Sequence, residues 1–158
     1  MVRRGALARY RASALADDQR MAALVVEDDP LMRTLLSEIL AMRGHRVEAC
    51  ATAEVAAELC QQGSFSLILL DWHLPGMDGL ELCRELRRRW LAPEPYVLLV
   101  TYRDDVGDAD EAAAAGVDDY LVKPFGLDEL MERLRVAERR AVRRAGPAAR
   151  QPTPSEVS

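Results

Sequence analysis

Short runs of consecutive apolar residues alternate along the chain with segments whose apolar residues recur every three or four positions. Continuous apolar runs are typical of strands buried on both faces, and the spaced pattern is typical of helices that pack on a sheet. The predicted strands are 22–26, 45–50, 67–70, 96–100 and 120–122. This alternation predicts a doubly wound α/β fold with a five-stranded parallel sheet between two helix layers.

Cap residues and apolar positions predict where the helices begin and which faces they bury. Asp29 before Pro30 favours the start of the first helix, and Thr52 favours the start of the second. Asp78 starts the third helix, the fourth is rich in Ala and ends by Gly116, and the fifth begins near Leu127. The predicted inward positions are Met32, Leu35, Leu36, Ile39 and Leu40, then Val55, Ala56, Leu59 and Cys60, then Leu82, Cys83 and Leu86, and finally Leu130, Met131 and Leu134.

Length and composition fit one globular domain with flanking segments. The chain has 158 residues, of which 49% are hydrophobic and 30% charged. We expect a flexible extension at 1–20, a folded domain at 21–144 and a disordered, Pro-containing tail at 145–158. The three cysteines form no C-x-x-C pair and are predicted to be reduced core residues, and no apolar stretch is long enough to span a bilayer. These features favour a cytoplasmic protein without a membrane partner.

Charge is unevenly distributed along the sequence. The net charge is −5, yet residues 1–20 carry five Arg against two Asp, and residues 139–158 carry five Arg against one Glu. The body between them is therefore strongly acidic. An acidic body argues against nucleic acid as a direct partner, because binding to phosphates needs Lys and Arg, and it is compatible with a cation site.

Chemically capable side chains follow four of the predicted strands. Glu27 and Asp28 follow the first, Asp71 follows the third, Thr101 follows the fourth and Lys123 follows the fifth. Parallel strands end at one edge of a sheet, so these groups are expected to converge there. Any one acidic residue at a strand end is more often a helix cap, but the joint arrangement favours function. Clustered carboxylates suit Mg²⁺, and Lys123 would neutralise a phosphoryl group.

Four segments in this order resemble the response-regulator receiver domain of two-component signalling. They are 24–30, 71–79, 100–101 and 119–125, and the resemblance covers about residues 21–140. It implies a flavodoxin-like (βα)5 domain with strand order 2-1-3-4-5, here of the single-domain type.

The resemblance implies a role for each matching residue. Asp71 is the expected phosphoacceptor, and Thr101 and Lys123 are expected to contact the phosphoryl group. Tyr120 occupies the position of the switch aromatic, which turns inward after phosphorylation, and the Lys123–Pro124 bond is expected to be cis. The implied Mg²⁺ ligands are Asp28 directly, Glu27 through water, Asp71, and the backbone carbonyl of His73.

The implied function is a phosphorylation-dependent switch that signals by contact with another protein. The phosphoryl donor would be a sensor histidine kinase or a histidine phosphotransfer protein, and the downstream target is unknown. Beyond assisting its own phosphorylation and dephosphorylation, the chain is not expected to be an enzyme. Two alternatives stay open: a phosphorelay shuttle and an adaptor that works without phosphorylation. A phosphatase for small molecules is a third class, but the sequence shows neither a cap domain nor its general acid.

Three residues beside the expected site depart from what receivers usually carry. Tyr102 follows Thr101 where a small residue is usual, so its ring would either narrow access to Asp71 or point to solvent. His73 and Arg103 are both large and polar, which predicts a long-lived phosphoryl-aspartate.

The face made by the fourth helix, fifth strand and fifth helix is where related receivers dimerise. Asp118, Asp119, Arg133 and Arg135 could serve it, but the Ala-rich fourth helix offers few long side chains. A monomer or a weak dimer through this face is therefore expected.

Overall fold

A computed structural model describes residues 20–89, 93–102 and 106–146, in which five strands alternate with five helices. The strands are β1 (Ala22–Val26), β2 (Arg46–Cys50), β3 (Leu67–Leu70), β4 (Tyr96–Thr101) and β5 (Asp119–Val122). The helices are α1 (Pro30–Met42), α2 (Ala53–Gln62), α3 (Gly79–Arg89), α4 (Val106–Ala114) and α5 (Leu127–Ala145). The extension and tail predicted at 1–20 and 145–158 lie outside the described residues, apart from Arg20, Ala145 and Gly146.

All strand pairs are parallel, and the order is β2-β1-β3-β4-β5, which confirms the predicted fold class. Val26 at the end of β1 pairs with Cys50 on one side and Leu70 on the other. Thr101 at the end of β4 pairs with Val122 at the end of β5. This register brings the residues that follow β1, β3 and β5 to one edge of the sheet.

Each face of the sheet carries its own apolar core, because alternate residues of buried strands point to opposite faces. One core joins the sheet to α1 and α5 through Leu36, Ile39, Leu40, Leu130, Met131 and Leu134. The other joins it to α2, α3 and α4 through Ala53, Ala56, Leu82, Cys83, Leu86 and Ala112. The prediction for Val55 was wrong, because its side chain is 43% exposed. Ala53 and Ala56 form the buried line of α2, and Val55 lies about 100° around the helix from Ala56.

The helix starts predicted at Asp29, Thr52 and Asp78 are confirmed by side-chain caps, and α5 begins at Leu127 as predicted but without one. Asp29 accepts a hydrogen bond from the backbone N–H of Leu31 (3.0 Å), and Thr52 accepts one from Val55 (3.2 Å). At α3, Asp78 accepts from the N–H of Glu81 (2.9 Å), and Glu81 accepts from the N–H of Asp78 (3.2 Å). This reciprocal pair satisfies donors that the first turn leaves free, so the start of α3 is fixed locally.

Two polar networks that the sequence pattern did not predict, one buried and one half-buried, connect α5 to the rest of the domain. Glu138 is buried and accepts hydrogen bonds from Arg43 Nε (2.9 and 3.0 Å), and its Oε2 lies 2.6 Å from His45 Nε2. Burial alone would raise the pKa of Glu138, but the bonds to His45 and Arg43 lower it on balance. Because His45 Nδ1 accepts from the N–H of Met21, His45 Nε2 is the nitrogen that donates.

The second network centres on Asp118, just before β5. Its Oδ2 accepts from Arg87 Nη2 of α3, from Arg144 Nη1 of α5 and from the N–H of Val97, at 2.9, 2.9 and 2.8 Å. α3 and α5, which lie in opposite helix layers, therefore both bind the carboxylate of Asp118, at the edge of the sheet where the strands begin. Among the described helices, none combines the length and apolarity that crossing a membrane requires.

Candidate functional site

The predicted site residues converge where β1, β3, β4 and β5 end. Asp71 follows β3, and its N–H donates to the carbonyl of Val26 at the end of β1 (2.9 Å). Lys123 follows β5, and its N–H donates to the carbonyl of Thr101 at the end of β4 (2.7 Å). Sheet hydrogen bonds therefore fix the backbone from which these side chains project.

Three carboxylates meet at this edge. Glu27, Asp28 and Asp71 each offer an oxygen atom, and these atoms all lie within 4.8 Å of one another. Glu27 and Asp71 are buried, whereas Asp28 is exposed. Oxygen donors of this kind, with one side open to water, fit Mg²⁺, which keeps several waters when protein carboxylates bind it.

Lys123 connects two of these carboxylates. Its ammonium Nζ donates to Glu27 Oε2 (2.7 Å) and to Asp71 Oδ2 (3.3 Å), and all three side chains are buried. Burial raises the pKa of Glu27 to about 7 against the opposing effect of Lys123, and the charge of Asp71 adds to the rise. Burial would lower the pKa of Lys123, but the bond to Glu27 and the charge of Asp71 raise it on balance. Three carboxylates share this edge with the one ammonium of Lys123, and this composition favours a further cation.

The hydroxyl of Thr101 is buried and has no hydrogen-bond partner among the described residues. A buried hydroxyl without a partner is uncommon in folded proteins. Since Thr101 ends the strand next to the one that Asp71 follows, a ligand oxygen in front of Asp71 would give this hydroxyl an acceptor.

The loop from β3 to α3 folds back on Asp71. The N–H of His73 donates to Asp71 Oδ1 (3.3 Å), and the N–H of Gly79 donates to the carbonyl of Trp72 (2.8 Å). A Cβ atom on Gly79 would lie 2.1 Å from the backbone oxygen of Asp71, so this close approach requires glycine. The imidazole of His73 is exposed and stacks beside the buried ring of Trp72.

The tyrosines at the site lie at different depths. Tyr102 is 66% exposed, and the centroid of its ring lies 5.1 Å from Lys123 Nζ, so the ring is both at the surface and beside the site. Tyr120 is half-buried and packs against the core shared with α2 and α3. Arg103 lies outside the described residues. The Lys123–Pro124 bond is cis, as predicted.

The sequence pattern missed Arg33 and Gly79. Arg33 Nη1 donates to the carbonyl of Glu27 (3.0 Å) and approaches that of Asp28 (3.4 Å). The sequence could have indicated a role for Arg33, because a cation near a helix N-terminus interacts unfavourably with the helix dipole and therefore does not stabilise the helix itself. Sequence gives no comparable signal for the contact of Gly79, since glycine is common at turns.

The polar residues of the expected dimer face are partly engaged within the chain. Arg133 Nη1 donates to Asp119 Oδ1 (3.0 Å), and Asp118 is bound by Arg87 and Arg144 as described above. Asp118 is therefore not available to a partner in this arrangement, whereas Arg135 is exposed.

Several curated regulatory proteins are similar in sequence to this chain. The chain is 43% identical over 132 residues to the transcriptional regulatory protein TcrA of Mycobacterium tuberculosis, covering 82% of this chain and 49% of TcrA. It is 42% identical over 121 residues to the two-component response regulator PhoP of Pseudomonas aeruginosa, covering 77% of this chain and 53% of PhoP. The chain thus spans about half the length of these relatives.

Solved receiver domains have the same fold. The BeF3-activated receiver domain of Klebsiella pneumoniae RstA matches with a TM-score of 0.67 and 32% identity, over 75% of this chain and 98% of that one. Thermotoga maritima TrrA, solved in complex with Mg(2+)-BeF, matches with a TM-score of 0.64 and 31% identity, over 73% and 97%. The family model of the response regulator receiver domain matches residues 23–135. With the sheet order and the acidic edge described above, this match shows that the chain belongs to the response-regulator receiver domain family of two-component systems.

Proposed function

We propose that Asp71 accepts a phosphoryl group from a phosphohistidine and that the chain then signals by contact with another protein. The observation that carries this proposal is the buried carboxylate of Asp71, held by Lys123 Nζ at 3.3 Å, together with the hydroxyl of Thr101 at the end of the neighbouring strand, which has no hydrogen-bond partner among the described residues. These groups supply a nucleophile, a cation and a donor at one edge of the sheet. The donor protein would be a sensor histidine kinase or a histidine phosphotransfer protein.

In the proposed transfer, an oxygen of Asp71 attacks phosphorus and forms an acyl phosphate. The P–N bond of the donor breaks, and its electron pair stays on the imidazole, which takes up a proton. Lys123 is placed to neutralise charge on the transferred group, and Thr101 can donate to one of its oxygens. The backbone N–H of His73, which donates to Asp71 in this structure, holds the carboxylate in position.

Glu27, Asp28 and Asp71 would hold Mg²⁺, together with the backbone carbonyl of His73. The metal would neutralise charge on the phosphoryl oxygens during the transfer. The excess of carboxylate over ammonium at the site supports this assignment.

The phosphoryl group adds a charge of about −1.5 to −2 at neutral pH. We infer that Thr101 and Tyr120 respond to it and change the face of α4, β5 and α5, where a downstream protein or a second copy would bind. A shuttle would pass the group on to a second histidine, and such transfer would distinguish it from a terminal effector. An adaptor that works without phosphorylation is favoured only by the position of Tyr102 beside Lys123.

The test is the intact mass of the protein after incubation with acetyl phosphate, with Mg²⁺ or with a chelator. We expect the gain of one phosphoryl group with Mg²⁺ and none with the chelator. A folded wild-type protein that gains no group from either acetyl phosphate or a phosphorylated histidine protein would contradict the proposal and favour the adaptor.

Replacing Tyr102 with Ala is expected to speed phosphorylation by acetyl phosphate about tenfold, less than the roughly 100-fold that misplacing a reacting group by about 1 Å can cost. The ring is exposed and lies 5.1 Å from Lys123 Nζ, so it occupies space beside the site that a donor would otherwise share. The measurement is the initial rate of mass gain, with Tyr102→Phe as the control that keeps the ring. Equal rates in wild type and Tyr102→Ala would mean that the ring does not obstruct the donor.

The phosphoryl-aspartate is expected to be long-lived, because His73 and Arg103 would hinder the water that hydrolyses it. His73 is exposed in the loop from β3 to α3, and its backbone N–H donates to Asp71 Oδ1. The half-life of the phosphorylated protein after donor removal is therefore expected to be shorter in a His73→Ala, Arg103→Ala double variant. Equal half-lives would contradict this prediction.

A further inference from the structure

Arg33 in α1 contacts the backbone of the acidic segment that precedes its helix. Its Nη1 donates to the carbonyl of Glu27 at 3.0 Å and lies 3.4 Å from the carbonyl of Asp28. We propose that Arg33 is a positioning residue for the Mg²⁺ site: by holding these two carbonyls, it fixes the direction in which both carboxylates enter the site. This inference rests on the proposed function and deepens it.

The two carboxylates depend on Arg33 to different extents. The backbone of Glu27 is held on both sides, since its N–H donates to the carbonyl of Cys50 (3.1 Å) and its carbonyl accepts from Arg33. Its side chain is held as well, by Lys123 and by the N–H of Asp29. The carboxylate of Asp28 is exposed and makes no hydrogen bond to the rest of the described chain, so its place at the site depends on its backbone, whose carbonyl Arg33 contacts.

Arg33 binds backbone carbonyl oxygens although several carboxylates are close to it in the sequence. Glu27, Asp28 and Asp29 lie within six residues of Arg33 in the sequence. The guanidinium of Arg33 nevertheless donates to backbone carbonyl oxygens, and it forms no ion pair with a carboxylate of the described residues. The carboxylates therefore stay available to a metal ion.

A contribution to the stability of α1 does not explain why an arginine occupies position 33. Positive charge near a helix N-terminus is unfavourable, and apart from the N-cap Asp29, α1 has no acidic residue in its first turn to offset it. An Arg→Gln change there is expected to leave the helix intact or to stabilise it slightly.

Positioning and simple electrostatics predict effects of opposite sign on Mg²⁺ binding. If Arg33 acts only through its charge, its removal should tighten binding, because a cation near a dication site is repulsive. If Arg33 positions the carboxylates, its removal should weaken binding. Residues that orient metal ligands typically contribute about tenfold or more in affinity.

The experiment is a titration of Arg33→Gln with Mg²⁺, followed by the fluorescence of Trp72, a buried residue that follows Asp71 directly in the chain. The second of the two tryptophans, Trp90, is replaced by Phe in every sample so that Trp72 alone reports. We expect the dissociation constant for Mg²⁺ to rise about tenfold relative to the background protein. An unchanged or smaller constant would overturn the proposal.

Two controls separate this result from other causes. Arg139→Gln removes an equal charge from an exposed position on α5 and should leave the Mg²⁺ affinity unchanged. The melting temperature of Arg33→Gln without Mg²⁺ should not fall below that of the background protein, which excludes loss of the fold. Failure of the wild-type protein to bind Mg²⁺ would instead count against the proposed function itself.

Discussion

In the Asp71→Asn variant we expect no Mg²⁺-dependent gain of a phosphoryl group, whereas the wild-type chain gains one. Asparagine keeps the shape of the side chain, but its neutral amide is not a nucleophile that forms an acyl phosphate. The measurement is intact mass after incubation with acetyl phosphate and Mg²⁺. The group added to wild type should be released by hydroxylamine, which cleaves acyl phosphates.

The Asp71→Asn variant should remain folded, so that a negative result can be interpreted. The charge of Asp71 raises the pKa of Glu27, and its removal relieves repulsion between two buried carboxylates. Lys123 keeps its shorter bond to Glu27, at 2.7 Å. Circular dichroism and the melting temperature test this expectation.

The matched control is Asp110→Asn, which changes an exposed aspartate on α4 in the same way. It should gain a phosphoryl group as wild type does. A gain that persists in Asp71→Asn and resists hydroxylamine would show that another residue is modified, and the assignment of Asp71 would be wrong.

Replacing Gly79 with Ala is expected to destabilise the domain by about 3 kcal/mol, at the upper end of what overpacking costs. The new Cβ would lie 2.1 Å from the backbone oxygen of Asp71 and 3.1 Å from Trp72 Cα. Backbone atoms cannot give way as a flexible side chain does. Either α3 or the loop that holds Asp71 must therefore move.

The measurements are thermal unfolding and the rate of phosphorylation of the folded protein. A loss of this size should lower the melting temperature on the order of 10 °C. Displacement of Asp71 from Lys123 should also slow phosphorylation, because the reacting groups are then misplaced.

Gly63→Ala is the matched control for this substitution. Gly63 ends α2 in an extended conformation, with φ −157°, and a Cβ atom there would meet nothing within 4 Å. It should be neutral or slightly stabilising. If Gly79→Ala melted at the temperature of Gly63→Ala, the close approach would not constrain the loop.

The elements that could be predicted from sequence are those whose signals are local or periodic. The five strands, the caps at Asp29 and Thr52, and the end of α4 before Gly116 follow from the residue and its near neighbours. The inward face of α2 was predicted less well. Val55 is apolar and lies beside the buried line, so the pattern alone did not separate it from Ala56.

The residues of the candidate site were predictable because of topology. Parallel strands end at one edge, so Asp71, Thr101 and Lys123 were expected to meet before any distance was known. What each group contacts was not predictable. The bonds of Lys123 Nζ to both Glu27 and Asp71, and the unpartnered hydroxyl of Thr101, depend on register and burial.

The sequence by itself determined the alternation of strands and helices, the fold class and the place of the acidic edge, because hydrophobic period and chain order carry that information. Only the tertiary structure decided which distant groups pair. Glu138 meets Arg43 and His45 from more than 90 positions away, and Arg87 and Arg144 reach Asp118 from opposite helix layers. Such partners are set by how the layers pack over the sheet, so a linear pattern of apolar and polar residues does not contain them.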